Sequence, residues 1–175
     1  MTALGSVAAA TPVAEVIPDF RDLMKLWPTG VSVVTTRVDG VRYGFTANSF
    51  ASVSMDPPMI SVCVDRAARC AAAFTAADRL SVNILAAHQD RLASRFASKL
   101  DDKFDGLTVI DGFGEAPVLP EALGVLGCRL DRVIPAGDHL ILLARVHEVG
   151  RPGAAEPLVY HRSRFADVRP REQVR

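Results

Sequence analysis

Two runs of mostly β-branched and apolar residues, separated by one Asp-Gly pair, restrict the fold of this chain more than any other feature. The runs cover residues 31–38 and 41–46, and the pair between them is Asp39-Gly40. An Asp-Gly pair favours the two-residue turns that join antiparallel strands, because both turn residues need positive φ. The sequence therefore predicts a tight antiparallel hairpin near the beginning of the domain.

Further apolar runs along the chain favour strands, with few helices between them. Strands are predicted over residues 59–65, 80–85, 122–134, 139–149 and 158–161, and the two long runs flank a Pro135–Asp138 turn. Residue spacing predicts helices over 19–27, 69–78 and 88–99, and residues 100–120 are expected to form a loop. Because parallel order would need a helix between most strands, we predict a mainly β fold, a closed or partly closed antiparallel barrel with flanking helices.

Length and charge restrict the classes of partner. The 175 residues fit one compact domain. Twenty Lys and Arg residues balance twenty Asp and Glu residues, and this balance is not typical of proteins that bind nucleic acid or anionic membranes. No apolar run approaches the length of a membrane span, so a soluble protein is expected.

The N-terminal residues and the cysteines indicate in which cellular compartment the protein is expected. Residues 1–17 are rich in small residues and lack the basic residues that open a secretory signal, so we expect a flexible N-terminal arm and no export. The domain itself is predicted over residues 18–166, followed by a charged tail over 167–175. Cys63, Cys70 and Cys128 form no C-x-x-C pair, and an odd number of cysteines favours reduced thiols in the cytoplasm.

Most signatures of catalytic and cofactor sites are absent from the sequence. Gly112-Phe113-Gly114 lacks the third glycine and the strand-to-helix context of a dinucleotide-binding fingerprint, and there is no P-loop. The four histidines are scattered along the chain, so no metal site is predicted. Nucleophilic catalysis is not indicated either, because no G-x-S-x-G elbow occurs and Cys63 lies within a strand-like run.

The end of the predicted hairpin and the residues after it are rich in small polar side chains. Residues 44–54 read GFTANSFASVS. Hydroxyl and amide groups suit a flavin, which needs hydrogen-bonding partners along its pyrimidine edge and phosphate, and an apolar slot for its rings. The same pattern fits a polar edge strand whose side chains bond their own backbone, and composition does not distinguish the two readings.

Several segments resemble one known family. Residues 44–65, GFTANSFASVSMDPPMISVCVD, resemble the signature of the flavin reductase-like family. Segments across residues 20–165 follow in the expected order: PTGV at 28–31, SVNIL at 81–85, FA at 96–97, DKF at 102–104, GDH at 137–139, PLVYH at 157–161 and RF at 164–165. The resemblance implies a flavin-binding split β-barrel, usually homodimeric, that reduces free FAD or FMN with NADH or NADPH and supplies a separate monooxygenase.

The resemblance also implies which residues bind the flavin. They are expected to be Thr29, Gly30, Thr46, Ala47, Asn48, Ser49, Ser52, Cys63, Val64, Asp65, Ala67, Ala68, Arg69, Phe96 and Lys103. Ala67 and Ala68 stand where the family often has small hydroxyl residues, so phosphate contacts are expected from backbone amides and from Arg66 or Arg69. By their pattern alone, Phe96 also fits a helix core residue and Lys103 a solvated charge.

His139 is the residue that the resemblance places beside the nicotinamide. Its implied role is orientation, because hydride passes directly between nicotinamide and flavin and the protein contributes geometry and hydrogen bonds. Tyr160 and Arg164 are expected to face the same nucleotide. From the residues alone, His139 also fits a turn histidine paired with Asp138, and Tyr160 fits a barrel residue with a solvated hydroxyl.

Other functions stay open at this point. A non-catalytic flavin carrier would use the same barrel, since fold and ligand do not guarantee turnover. A related split-barrel oxidase acting on a phosphorylated vitamin would need a stronger cluster of basic residues than the sequence offers. A dimerisation domain without a ligand is the most remote alternative.

Overall fold

Strands predominate in the computed structural model, which describes residues 13–150 and 154–168. The helices are α1 (Val13–Lys25), α2 (Ala71–Ala76) and α3 (Asp90–Ala97), and a 3-10 turn over Ala87–Gln89 precedes α3. The strands are β1 (Thr29–Gly30), β2 (Ser32–Val38), β3 (Val41–Ala47), β4 (Ala51–Met55), β5 (Pro58–Asp65), β6 (Arg79–Ile84), β7 (Ile110–Gly112), β8 (Ala116–Val118), β9 (Gly124–Ala136), β10 (His139–Gly150), β11 (Val159–His161) and β12 (Arg164–Ala166). The predicted mainly β class is confirmed.

The described strands form one large and two small antiparallel sheets. The large sheet has the order β3-β2-β6-β9-β10-β5-β4, and the small ones are β1-β11-β12 and β7-β8. The order of the large sheet ends at β3 and β4, and within the described residues these two strands do not pair with each other. The sheet is therefore open, and the closed form of the predicted barrel is not observed.

The predicted first hairpin is confirmed. Val38 of β2 pairs with Val41 of β3, so only Asp39 and Gly40 form the turn. Their φ angles are 50° and 76°, the left-handed conformation that a type I′ hairpin turn requires at both positions. Glycine carries this conformation without steric cost, and aspartate tolerates it better than most residues.

The second predicted hairpin exists, but its turn is shorter than expected. The strands were predicted to end at Ile134 and resume at His139, whereas Pro135 and Ala136 belong to β9 and Ala136 pairs with His139. Gly137 has a φ of 59° and supplies the left-handed residue of a two-residue turn. The hairpin tip is an exposed edge region, where a proline without an N–H is tolerated in a strand.

The helix boundaries differ from the predicted ones. Helix α1 begins at Val13 and ends at Lys25, not over 19–27, because alanine and glutamate before Pro18 favour helix and one proline removes only one hydrogen bond. The helix thus starts within the predicted arm. Residues 1–12 of that arm, and residues 169–175 of the predicted tail, lie outside the described residues.

The two later helices are also shorter than predicted. Helix α2 covers only part of 69–78, and the helix predicted over 88–99 is divided into the 3-10 turn and α3. The side chain of Gln89 marks the division, because its Oε1 accepts a hydrogen bond from the Ala86 N–H at 3.0 Å and its Nε2 donates to the Pro120 carbonyl at 3.1 Å.

The short strands β4, β7, β8 and β12 were not predicted from the sequence. β4 follows the polar segment after the first hairpin, and β7 and β8 lie within residues 100–120, which were expected to form a loop. Strands of three to five residues are too short to show a clear alternation of apolar and polar residues. Their pairing with neighbouring strands, which the sequence does not show, determines that they form.

Two apolar clusters on opposite faces of the sheet form the core. Because side chains alternate along a strand, Val34 of β2 packs in one cluster and Val33 in the other. The first cluster includes Phe45 and Phe74, whose rings meet edge to face with centroids 4.8 Å apart. The second lies under α3 and contains Phe96. Strand β3 and helix α3 are thereby held side by side, and this contact forms one wall of the cavity described below.

Candidate functional site

A cavity of about 790 Å³ lies along β3. Its walls are residues 42–49, the end of β5 with the turn after it (63–65 and 67–70), and the end of α3 with the loop after it (96–101 and 103–104). The volume falls within the range typical of small-molecule pockets. Strand β3 pairs with β2 only, so no strand in the described part of the chain covers the edge of β3 on the cavity side.

The free edge of β3 offers backbone hydrogen-bonding groups to the cavity. Along an antiparallel strand, successive residues direct their N–H and C=O groups to opposite edges. The Gly44 carbonyl accepts a hydrogen bond from Lys103 Nζ at 3.4 Å, so its polar groups point away from β2. Arg42 and Thr46, two residues away on either side, share this direction and can pair with a ligand.

Gly44 is also a point of close approach between β3 and α3. A Cβ atom on Gly44 would lie 2.6 Å from Cε1 of Phe96 and 3.3 Å from Cζ of Phe104. These two rings pack edge to face with centroids 5.0 Å apart. Phe96 is fully buried, so the reading of this residue as helix core is confirmed, although the residue also borders the cavity.

Two hydroxyl groups hold the loop between β3 and β4. Thr46 Oγ1 donates to the Ala93 carbonyl of α3 at 2.6 Å. Ser49 Oγ accepts a hydrogen bond from the Cys63 N–H at 2.9 Å and donates to the Cys63 carbonyl at 3.3 Å. Both side chains are therefore engaged within the protein, and the exposed amide of Asn48 and the loop backbone remain for a ligand.

The turn after β5 satisfies its own amides. The Asp65 carboxylate accepts a hydrogen bond from the Ala67 N–H at 2.7 Å, and the Asp65 carbonyl accepts one from the Ala68 N–H at 3.0 Å. The expectation that these two amides bind a phosphate is not supported by this geometry. The basic side chain that lines the cavity here is Arg69, which contacts the Asp101 carboxylate and the Lys99 carbonyl.

Lys103 is a half-buried cation on the cavity wall. Its ammonium group donates to the Phe96 carbonyl at 2.7 Å as well as to Gly44. Burial lowers the pKa of Lys103 from its usual value of 10.5, while the nearby Cys70 thiol opposes this shift and Arg69 adds to it. Burial also raises the pKa of the Cys70 thiol. A charged lysine with reduced access to water is suited to pair with a phosphate.

His139 stands at the other end of the cavity, at the first position of β10. It pairs with Asp65 of β5 across the sheet, and its Nδ1–H donates to the Asp138 carboxylate at 2.7 Å. This hydrogen bond and the charge of the imidazole hold the pKa of the Asp138 carboxyl below its usual value. The pairing with Asp138 that the sequence allowed is thus present, and it leaves Nε2 for a ligand.

Residues 24–169 match the family model described as flavin reductase like domain. The chain belongs to the flavin reductase-like family. The resemblance drawn from the sequence is therefore confirmed, and the match covers both strands and loops that line the cavity.

Individual flavin reductase-like relatives align over most of this chain. An actinorhodin polyketide dimerase of Streptomyces coelicolor is 42% identical over 147 residues, 83% of either chain. The reductase subunit HsaB of a flavin-dependent monooxygenase from Rhodococcus jostii is 32% identical over 155 residues, 89% of this chain and 80% of that one. A solved structure of the NADH:FAD oxidoreductase SgcE6 of Streptomyces globisporus, in complex with NAD and FAD fragments, superposes with a TM-score of 0.84 at 33% identity and covers 93% of this chain and 98% of that one.

Most residues that the resemblance to flavin reductases singled out meet in the cavity along β3. They are Thr46, Ala47, Asn48, Ser49, Cys63, Val64, Asp65, Ala67, Ala68, Arg69, Phe96, Lys103 and His139. A second cavity of about 400 Å³ contains Thr29 and Gly30 and shares Asn48 and Ser49 with the first. The Thr29 hydroxyl is buried and has no hydrogen-bond partner in the described residues.

Three residues predicted for this flavin reductase-like site line neither cavity. Ser52 is exposed on β4, opposite Ile60 of β5. Tyr160 of β11 pairs with Thr29 of β1 and its ring packs against Phe165, and Arg164 is exposed on β12. Within one chain the structure does not bring these three to the cavity, and their roles in ligand binding stay predictions.

Several cavity residues of this family member were not predicted. They are Arg42, Tyr43, Gly44, Phe45, Cys70, Ala97, Ser98, Lys99, Leu100, Asp101 and Phe104. The strand period could have indicated Arg42 and Gly44, which share the edge of Thr46. The loop after α3 carries no comparable signal, because contacts with residues distant in the sequence, Arg69 to Lys99 and Lys103 to Gly44, hold it at the cavity.

Neither a metal centre nor a membrane-spanning helix is found where the structure describes the chain. In residues 13–150 and 154–168, no three or more His, Cys, Asp or Glu side chains lie close enough together to hold a metal ion. The helices over the same residues are too short or too polar to cross a membrane.

Proposed function

We propose that this chain is an NAD(P)H-dependent flavin reductase, which transfers a hydride from a nicotinamide nucleotide to free FAD or FMN. One observation carries the proposal. Most of the flavin-binding residues implied by the resemblance, from four separate segments, line one cavity together with His139. The family match over residues 24–169 and the similarity to an NADH:FAD oxidoreductase support the same reaction.

The wall of this cavity suits a flavin. The free edge of β3 and the exposed Asn48 offer donors and acceptors for the polar edge of the ring system. Lys103 and Arg69 provide positive charge for a phosphate.

The residues of the chain have defined tasks in this reaction. With both ligands bound, the nicotinamide gives a hydride to the flavin, which also takes up a proton from solvent, and the oxidised nucleotide and the reduced flavin leave. His139 orients the nicotinamide through Nε2, while Asp138 holds the ring by its Nδ1–H. Such a group contributes by restricting the geometry of the two ligands rather than by transferring protons.

Assembly as a homodimeric split barrel is part of the same proposal. The apolar residues Phe20, Leu23 and Trp27 of α1 and the turn after it expose 57%, 64% and 68% of their surface. An exposed apolar stripe of this size is typical of an interface. Trp27 also lines the smaller cavity, so a second copy packed on α1 would complete that cavity.

The reduced flavin is proposed to serve a separate monooxygenase in the cytoplasm. The relative from Rhodococcus jostii is named as the reductase subunit of such an enzyme, and one small domain has little room for a second substrate site. All three cysteines are free thiols, which is typical of proteins in a reducing compartment.

Anaerobic mixing of the purified chain with NADH and excess FAD tests this function. We expect the visible absorbance of the flavin to disappear while NADH is consumed, in parallel reactions with NADPH and with FMN as well. A flavin carrier would bind the flavin without consuming the nucleotide. Absence of bleaching with either nucleotide and either flavin would contradict the proposal.

A further inference from the structure

The Arg69 side chain joins two walls of the cavity along β3. Arg69 belongs to the turn after β5, and its guanidinium contacts the Asp101 carboxylate in the loop after α3. The same nitrogen, Nη1, donates to the Lys99 carbonyl at 3.2 Å. An anion of the chain itself therefore occupies one of the two cations that the proposed function assigns to the flavin phosphate.

Asp101 is the carboxylate of the cavity wall that is placed to compete with a ligand. Two carboxylates line the cavity, those of Asp65 and Asp101. The Asp65 carboxylate accepts a hydrogen bond from the Ala67 N–H at 2.7 Å and is thereby engaged within its own turn. In the described part of the chain, the hydrogen-bond and ion-pair partner of the Asp101 carboxylate is Arg69.

The ion pair between Arg69 and Asp101 lies at the surface of the cavity. The Arg69 side chain is 68% exposed and the Asp101 side chain is 95% exposed. An exposed ion pair contributes little to stability, because water solvates both groups once they separate. The Asp101 carboxylate can thus leave Arg69 at small cost when a stronger anion arrives.

A flavin phosphate is the stronger anion at this position. A phosphate monoester carries about 1.5 to 2 negative charges at pH 7, whereas a carboxylate carries one. Lys103 lines the same cavity, and the charge of Arg69 contributes to the lowering of the Lys103 pKa, so the two cations influence each other. A phosphate that binds both cations gains more than the Asp101 carboxylate, which contacts one of them.

We propose that Asp101 is an internal competitor of the flavin phosphate for Arg69, which keeps flavin binding weak and speeds release of the reduced flavin. The proposal rests on the proposed flavin reductase function. When flavin binds, its phosphate replaces the Asp101 carboxylate on Arg69, and the carboxylate turns into solvent. When the reduced flavin leaves, Asp101 returns to Arg69 and neutralises it. A reductase that passes its product to another enzyme needs this exchange, because a flavin that stays bound prevents the next turnover.

Fluorescence titration of the full chain with FMN, FAD and riboflavin tests the competition without turnover. Asp101→Asn removes the negative charge and keeps the size of the side chain, so FMN and FAD should bind about three- to fivefold more tightly. Riboflavin has no phosphate, and its Kd should change less than about 1.5-fold. Displacement of bound FMN after rapid mixing should show a dissociation rate lowered by a similar factor, because variants of one site differ mostly in dissociation.

Asp105→Asn is the matched control for the change in net charge. Asp105 lies in the same loop as Asp101 but lines neither of the two cavities. Over residues 13–150 and 154–168 its carboxylate forms no ion pair. Asp105→Asn should therefore leave the affinities for all three flavins unchanged. Equal tightening of FMN by the two variants would show a general effect of charge and overturn the proposal.

Arg69→Ala distinguishes competition for Arg69 from repulsion between Asp101 and the ligand. In the Arg69→Ala background, Asp101→Asn should change the Kd of FMN less than about 1.5-fold, because the shared cation is gone. An equal effect in both backgrounds would overturn the proposal, as would FMN binding to Asp101→Asn that is unchanged or weaker, and each result would leave the reductase function intact. If neither FMN nor FAD binds the wild-type chain, the proposed function itself is wrong, and the role of Asp101 with it.

Discussion

Two side chains on the cavity wall are held in place by hydrogen bonds to their immediate neighbours. The imidazole of His139 is held by the Asp138 carboxylate, and the ammonium group of Lys103 is held by two main-chain carbonyls. Neither environment follows from residue type, since a histidine in a turn and a lysine in a loop are most often solvated. In both cases a hydrogen-bonding group remains without a partner in the described residues, Nε2 of His139 and a third N–H of Lys103, so each residue can be tested by substitution.

His139→Ala should impair reduction of the flavin without impairing its binding. We expect kcat/KM for NADH to fall about 10- to 100-fold, because the nicotinamide loses an orienting hydrogen bond. The Kd for FAD, measured by titration, should change less than about twofold. Asp138→Asn should have a smaller effect in the same direction, since the ring is retained but less firmly held. An unchanged kcat/KM in His139→Ala would contradict the orienting role.

Lys103 should make flavin binding sensitive to alkaline pH. Its pKa is lowered from 10.5 by burial, so the folded chain loses this positive charge at a lower pH than an exposed lysine would. Binding of FMN should therefore weaken on the alkaline side, at a pH below the usual lysine value of 10.5, measured by fluorescence titration. In Lys103→Arg the weakening should be smaller, because arginine stays charged over this range. The same pH dependence in both proteins would contradict a contact between Lys103 and the phosphate.

At the scale of elements, a side chain joins two parts of the sheet that strand pairing leaves apart. Strands β3 and β5 are not neighbours in the sheet, yet Ser49 bonds both the N–H and the carbonyl of Cys63 in β5. These two bonds hold the polar loop after β3 against the end of β5. The Ser49 hydrogen bonds therefore close the gap between β3 and β5 at one end, and the rest of this gap is the cavity.

Ser49→Ala should destabilise the chain and loosen this junction. The Cys63 N–H would lose its partner in a half-buried place, so the free energy of unfolding should fall by about 1–2 kcal/mol. Chemical denaturation at equilibrium measures the change. Ser52→Ala is the matched control, because Ser52 is exposed on β4, and its effect should stay within about 0.5 kcal/mol. Equal stability of the two variants would show that the Ser49 hydrogen bonds contribute nothing.

At the scale of the whole molecule, the apolar face of α1 has no packing partner among the described residues. Phe20 and Leu23 of α1 are exposed, although their spacing places them on one side of the helix. At the end of α1, the Lys25 carbonyl accepts a hydrogen bond from the Arg162 N–H at 2.8 Å. A helix of this type gains its stability from packing, which supports the proposed second copy.

Leu23→Glu should therefore convert the proposed dimer into a monomer. A buried carboxylate at an apolar interface is costly, so light scattering coupled to size-exclusion chromatography should give half the mass of the wild-type chain. Flavin reduction should fall as well, because Trp27 lines a cavity that the second copy would complete. Asp22→Ala, on the exposed polar side of α1, should stay dimeric. A wild-type chain that is already monomeric would contradict the assembly.

Sequence alone determined the two hairpins and the polar loop, because turn residues and β-branched runs act over only a few positions. The ordered segments also determined the family and most of one cavity wall. Tertiary structure decided the rest. It showed that the Thr46 and Ser49 hydroxyls are engaged within the protein, that Asp65 takes up the amides of Ala67 and Ala68, and that Arg42 and Lys99 line one cavity. These facts depend on contacts between residues remote in the chain or on the exact course of a turn, and local pattern does not encode either.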